Sequence, residues 1–278
     1  MENKETKKKE MNKQVLDRSW QYVLVTYLVF GAMVLGICGS ASMIFHASPL
    51  VMRILSNVCA WSPTLVLFAG FKKWCPDMSV KQFMKNAFAG KLSAGLLIIS
   101  ILSTGLTFIV AAAIYAGIKD VAFTSLFQLG GYPVLVSVLF SLLSGPTGEE
   151  CGWRGYLRHE FAEKYGFVNG NLLVGIVWTF WHAVLWLVDS DYTSGVEMLI
   201  YILSNIVVIT SIHMIMAVIL EKKDNLIYAV LVHLFFNLPY CFLNADITFY
   251  VIMIVLYPIV AGAFMMWRKR KDINNREF

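Results

Sequence analysis

Charge is what this sequence has least of. Of its 278 residues, 15% are Asp, Glu, Lys or Arg and 58% are hydrophobic, where a water-soluble domain carries about 25% charged residues. The shortage is uneven. No charged residue occurs from Ser19 to Met52, Val121 to Gly148, Tyr165 to Val188 or Ile247 to Trp267. Neutral runs of that length exclude a soluble globular chain and read as bilayer spans. Paired cysteine is lacking as well. Five Cys without a CxxC argue against a disulfide framework and against a cysteine-based zinc site. There is no internal repeat and no HExxH; the nearest string, His159-Glu160-Phe161-Ala162-Glu163, lacks the second histidine.

What is present is an all-α pattern, a polytopic transmembrane helical bundle of about eight spans. The apolar segments run from Gln21 to Phe45, Leu50 to Phe71, Leu92 to Ile118, Gly131 to Gly145, Leu172 to Val188, Val196 to Leu220, Leu226 to Leu243 and Ile247 to Trp267. The fourth and fifth are short for a 30 Å hydrocarbon core, which predicts a broken or tilted helix there. Residues 1–18 form a basic tail whose following apolar run is too long for a signal-peptide core, so it reads as a retained first span. Residues 19–267 form the membrane-embedded unit, and 268–278 a second basic tail. Ala32, Gly36 and Ser40, spaced four apart, would permit close helix packing.

The charges that do occur are sorted by side. With an even number of spans, all of the 23 Lys and Arg except Arg53 and Lys119 fall on one face. The positive-inside rule makes that face, and both termini, cytoplasmic. It also makes the cytoplasmic face the expected route to the acidic pair discussed next. The net charge of +5 is thus a topology signal and a contact for lipid headgroups. Basic residues do not interleave with aromatics, so nucleic acid is not an expected partner.

The informative stretch is SGPTGEECGWRGYLRHEF. Gly145-Pro146-Thr147-Gly148 is a place for one helix to stop and another to begin. Glu149 and Glu150 follow at the edge of hydrocarbon, where two adjacent carboxylates are costly without partners. Arg154, four residues after Glu150, lies on the same helical face and is its expected ion-pair partner. Glu149 is then left to face something else. A juxtamembrane first turn with acids at the helix N-terminus suits the same residues.

His182 and His233 lie inside apolar segments, and Asn237 is one turn beyond His233 on the same face. Buried polar side chains need partners, and interhelical hydrogen bonds would serve. Two His, an Asn and an acidic pair on three helices also compose a hydrolytic site. His46 and His159 sit in expected loops and His213 reads as packing. Glu149, His182 and His233 are a conceivable zinc ligand set. The metal-free arrangement, with a carboxylate and an imidazole activating water and two donors on the oxyanion, also employs Asn237 and is preferred.

In this order and placement the residues resemble the CAAX-protease and bacteriocin-processing family, bacterial relatives of the type II prenyl-protein endopeptidases. The EExxxR pattern stands as Glu149-Glu150-Cys151-Gly152-Trp153-Arg154. FxxxH falls on Trp178 to His182, with Trp for Phe, and HxxxN stands as His233 to Asn237. The resemblance covers Ser137 to Pro239. It implies an intramembrane endopeptidase without a cofactor, in the lipid of a bacterial cytoplasmic membrane. Glu149 would activate water with His182, Glu150 and Arg154 would support the site, and His233 and Asn237 would stabilise the oxyanion. The implied substrate is a peptide or C-terminal protein segment, prenylated-type or bacteriocin-like. Trp178 keeps aromatic bulk and is expected to affect packing rather than chemistry. A non-catalytic immunity or scaffold protein, or a transporter, would share the helices. The intact His233 and Asn237 pair favours the enzyme, and the lack of a matching second half speaks against transport.

Overall fold

The computed structural model describes residues 17–128, 132–188, 192 and 195–274. The tail before Asp17, residues 275–278, and Asp189 and Asp191 of the expected external loop lie outside the described residues. Asp17 starts the first helix, its carboxylate accepting the Trp20 N–H at 3.1 Å, as an N-cap does. Helix α1 then runs Arg18–Met43, with a π-helical stretch at Met33–Cys38. Ser48 caps α2, Pro49–Ala60, whose first residue is the proline that position favours. Helix α3, Ser62–Ala69, continues it after a 45° bend at Trp61. Ser79 caps the short α4, Val80–Phe88, and α5 is Ala94–Lys119.

Beyond these come α6, Val134–Leu143, a single turn at Gly145–Gly148, a π-helical stretch at Cys151–Leu157 and α7, Arg158–Tyr165. Gly166, at φ +78°, turns the chain from α7 into α8, Phe167–Trp181, a backbone position that favours glycine. A short α9 follows at Ala183–Val188. The remainder is α10, Gly195–Lys222, α11, Ile227–Asn237, and α12, Ile247–Asn274. Among the described residues the pairing outside helices is one isolated antiparallel bridge, Phe127 with Leu243. The fold is all-α.

Among the described residues, five helices are long and apolar enough to cross a membrane: α1, α5, Phe167–Val188, α10 and Ile247–Lys269 of α12. The bent pair α2–α3 makes six if counted as one span. This corrects the expected eight. The seventh expected segment contains 11 residues of α11 and a four-residue 3-10 turn, about 25 Å of rise against a core of about 30 Å. The fourth contains α6, which has 10 residues and stops at Ser144, whose ψ of −124° leaves the helical region. The last helix, in turn, continues to Asn274, through much of the segment expected as a tail.

Helix α10 is the centre of the bundle. Every residue from Ser211 to Leu220 is buried, and the helix packs against α8 and α12 while α5 packs against α11 and α12. His213 shares a hydrogen bond of 3.1 Å with the Asn171 side chain, the interhelical packing expected of it. Thr104 donates to the Val232 carbonyl at 2.9 Å, tying α5 to α11. Leu28, Leu106, Val255 and Ile259 point outward and are exposed, as lipid-facing side chains are. The small-residue stripe of α1 does not pack a neighbour. Ala32 and Gly36 are exposed, and a methyl added to Gly36 would meet nothing within 4 Å.

Ion pairs mark the two ends of the bundle. At one, Lys164 pairs with Asp17, Arg158 with Asp224 at 2.6 Å and Arg268 with Glu221 at 2.7 Å. The Asn225 amide donates there to Phe88 and Gly90 carbonyls. At the other, Lys119 pairs with Asp246 at 2.6 Å, beside the Phe127–Leu243 bridge. Among the described residues, Lys164, Arg158 and Arg268 of the basic segments thus lie at one end.

Candidate active site

The break between α6 and α7 positions the acidic pair. Ser144 ends α6, Pro146 lies in the first turn that follows, and Gly145 allows two side chains to lie against the backbone. A Cβ at Gly145 would come within 2.7 Å of Glu149 Oε1 and of both Cε1 and Nε2 of His233. Only hydrogen fits there. The chain then carries Glu149 and Glu150 into the π-helical stretch with both carboxylates buried, 3% and 1% exposed.

Burial of two carboxylates requires donors for both. Glu150 Oε1 accepts from Arg154 Nη1 at 3.2 Å, the ion pair expected from their spacing. The same oxygen meets His233 Nδ1 at 2.7 Å, a partnership that sequence spacing did not suggest. Glu149 Oε2 accepts from the Trp178 indole N–H at 2.5 Å. Arg154 is fully buried and lies over the Trp178 ring, 3.7 Å from its centroid, a cation–π contact strengthened by desolvation.

Trp178 is therefore the residue that sequence reasoning undervalued. It was expected to affect packing alone, but its N–H is the hydrogen-bond donor to Glu149. Its ring also sits edge-on to His233 and His182, with centroids 5.1 and 5.9 Å away. The available signal was the Trp itself, because an indole has a donor where the family pattern has a phenyl ring.

His182 occupies the junction between α8 and α9, where the backbone tightens to a His182 N–H to Thr179 carbonyl bond of 3.0 Å. Its Nδ1 lies 2.8 Å from the Trp178 carbonyl. A carbonyl only accepts, so Nδ1 carries the proton and Nε2 has the lone pair in the neutral ring. Asn237 ends α11. Glu149, Trp178, His182, His233 and Asn237 together line one cavity of about 560 Å³, within the range of roughly 300–1,000 Å³ usual for ligand sites. Glu150 and Arg154 stand behind it. Among the described residues no three His, Cys, Asp or Glu are grouped so as to hold one metal ion.

Residues 130–239 match the family described as type II CAAX prenyl endopeptidase Rce1-like. That span contains all three motifs, and Glu149, Trp178, His182, His233 and Asn237 of the cavity. Through this segment the chain is similar to the Rce1-like family. It is also 28% identical, over 144 residues, to CAAX prenyl protease 2 of Methanococcus maripaludis, covering 49% of this chain and 51% of the relative. The chain thus spans about half the length of the curated relative it matches. The family description and the relative's name are those of CAAX endopeptidases.

Proposed function

We propose that the protein is an intramembrane endopeptidase that hydrolyses a peptide bond with water activated by Glu149. The observation that carries this is the convergence of Glu149, His182, His233 and Asn237 on one cavity, with Glu149 oriented by Trp178. Glu149 takes a proton from water as its oxygen attacks the scissile carbonyl carbon. His182 presents the Nε2 lone pair to that water, since Nδ1–H is committed to Trp178. The proton then passes to the leaving amine as the C–N bond breaks.

The carbonyl oxygen becomes negative during attack, and Asn237 donates an N–H to it. His233 joins as a second donor through Nε2, with Nδ1 turned to Glu150. Glu150, held by Arg154, orients that ring much as a buried carboxylate does in a Ser-His-Asp triad. A scaffold or immunity protein has no use for such an array, which favours the enzyme.

The basic end of the bundle lies in the cytoplasm, with both termini there, in a bacterial cytoplasmic membrane. The substrate is a peptide or protein segment. Comparing membrane and secreted peptides of a wild-type strain with those of a Glu149→Ala strain tests this reading. A peptide that accumulates uncut only in the mutant is the expected result; identical peptide sets would refute it. With a purified substrate, Glu149→Gln should abolish turnover. Asn237→Ala should lower kcat by about 10²–10³ with little change in KM, the usual cost of losing an oxyanion donor.

A further inference from the structure

The cavity above Glu149 has a floor and a mouth. Its floor is made by Gly145, Glu149, Trp178 and His233, and these three side chains are at most 3% exposed. Its mouth includes Leu35, Met43 and Val188, which are 60%, 79% and 53% exposed, together with the exposed Arg53. Between the floor and the basic end, Trp153, Arg154, Tyr156 and Leu157 form a packed plug, none more than 3% exposed.

The helices that form the mouth show which end it occupies. Met43 ends α1, which begins at the Lys164–Asp17 pair. Val188 ends the span that begins at Phe167, on whose ring Arg268 lies at 4.0 Å. Arg53 lies near the start of α2, which continues through α3 toward Lys72. Each route leads away from the basic end. The mouth therefore lies at the end that carries Lys119 and Asp246.

With the basic end in the cytoplasm, we infer that peptide reaches Glu149 from the extracytoplasmic face. The substrate class is then an exported or outward-facing peptide segment, cut after its export rather than at a cytosolic C-terminus. The route expected from sequence is reversed. Val34, Met52 and Leu185 give the cavity apolar walls, with Asn57 and Asn205 among its few amides. Such a lining suits uncharged side chains on an extended backbone. The words "substrate" and "cut" rest on the peptidase reading; the side on which the cavity opens does not.

Thiol labelling decides the side. Met43→Cys at the mouth and Ser56→Cys, on the cavity wall one turn beyond Arg53 and itself exposed, are made singly in the otherwise native chain. Intact cells and sealed inverted vesicles are treated with a membrane-impermeant maleimide, and modified cysteines are mapped by mass spectrometry. Two native cysteines serve as orientation markers: Cys241 near the mouth end and Cys75 at the basic end, both partly exposed. Labelling of Cys241, Met43→Cys and Ser56→Cys in intact cells, with Cys75 labelled only in inverted vesicles, is the expected result. Ser56→Cys that reacts only in inverted vesicles, or that stays unlabelled from outside, overturns the inference.

A second arm uses internally quenched peptides rich in Leu and Val, with Glu149→Gln membranes as the blank. Cleavage by right-side-out but not inverted sealed vesicles supports the route, and the opposite pattern overturns it. Cleavage by neither, even after detergent, refutes the peptidase reading for such peptides while the labelling result still decides the route.

Discussion

Replacing a phenyl ring by an indole adds one N–H, and in this chain that N–H ends on the Glu149 carboxylate. A hydrogen bond to a charged acceptor contributes about 1.5–3 kcal/mol, enough to hold a carboxylate in one orientation. Trp178→Phe retains a ring over Arg154 but removes this donor. The expected outcome is a fall in kcat of roughly 10–100-fold, the same energy expressed as a rate, with KM and the thermal melt of the detergent-solubilised protein little changed. An unaltered kcat would show that Glu149 does not need the indole. Glu149, Glu150 and Arg154 were legible because helical spacing alone relates them. The Trp178 donor and the His233–Glu150 bond were not, since they join residues 29 and 83 positions apart. Distance along the chain says nothing about such pairs.

At the scale of elements, the site depends on a helix that fails to continue. Ser144 leaves helical geometry, Gly145 admits Glu149 and His233 against its backbone, and the π-helical stretch begins two residues after Glu149. Gly145→Ala puts a methyl 2.7 Å from both side chains, an overpacking that typically costs about 1–3 kcal/mol. It should abolish turnover while the protein still inserts and elutes as a single species. Gly36→Ala, whose methyl meets nothing within 4 Å, is the control and should retain full activity. Retention of activity in Gly145→Ala would mean that the two side chains need not meet there. Gly-Pro-Thr-Gly announced the break in sequence. Hydropathy, however, counted Gly131 to Gly145 as a span of its own, because it registers composition and not the length of the unbroken backbone ladder, which is the 10 residues of α6.

For the whole molecule, the basic end is closed by charge pairs between segments distant in sequence. Partial burial alone would raise the Asp224 carboxyl, but the His159 hydrogen bond and the Arg158 charge outweigh it and hold the carboxyl below its ordinary range. A depressed carboxyl stabilises the fold above its unfolded pKa, about 3.9, and that contribution disappears as pH falls through the folded value. Asp224 is half-exposed, so the pair is worth about 1 kcal/mol or less, roughly 2–4 °C in Tm. Melting curves of wild type and Asp224→Asn should differ by that amount above about pH 5, where the ordinary carboxyl is ionised, and converge in stronger acid. A gap that persists unchanged at low pH would assign the effect to packing instead.

The sequence by itself determined that the chain is helical and membrane-embedded, that its cations gather at one end, and that its acidic and imidazole side chains recur on three helices. Those properties follow from composition, period and order, which a linear reading preserves. Tertiary structure decided how many segments are long enough to span, which donor serves each buried carboxylate, and where the cavity opens. Each of these depends on where a helix breaks or on which faces meet across the bundle. Met43, Arg53 and Val188 share a cavity with Glu149 only because their helices converge above the break, and no local pattern encodes that convergence.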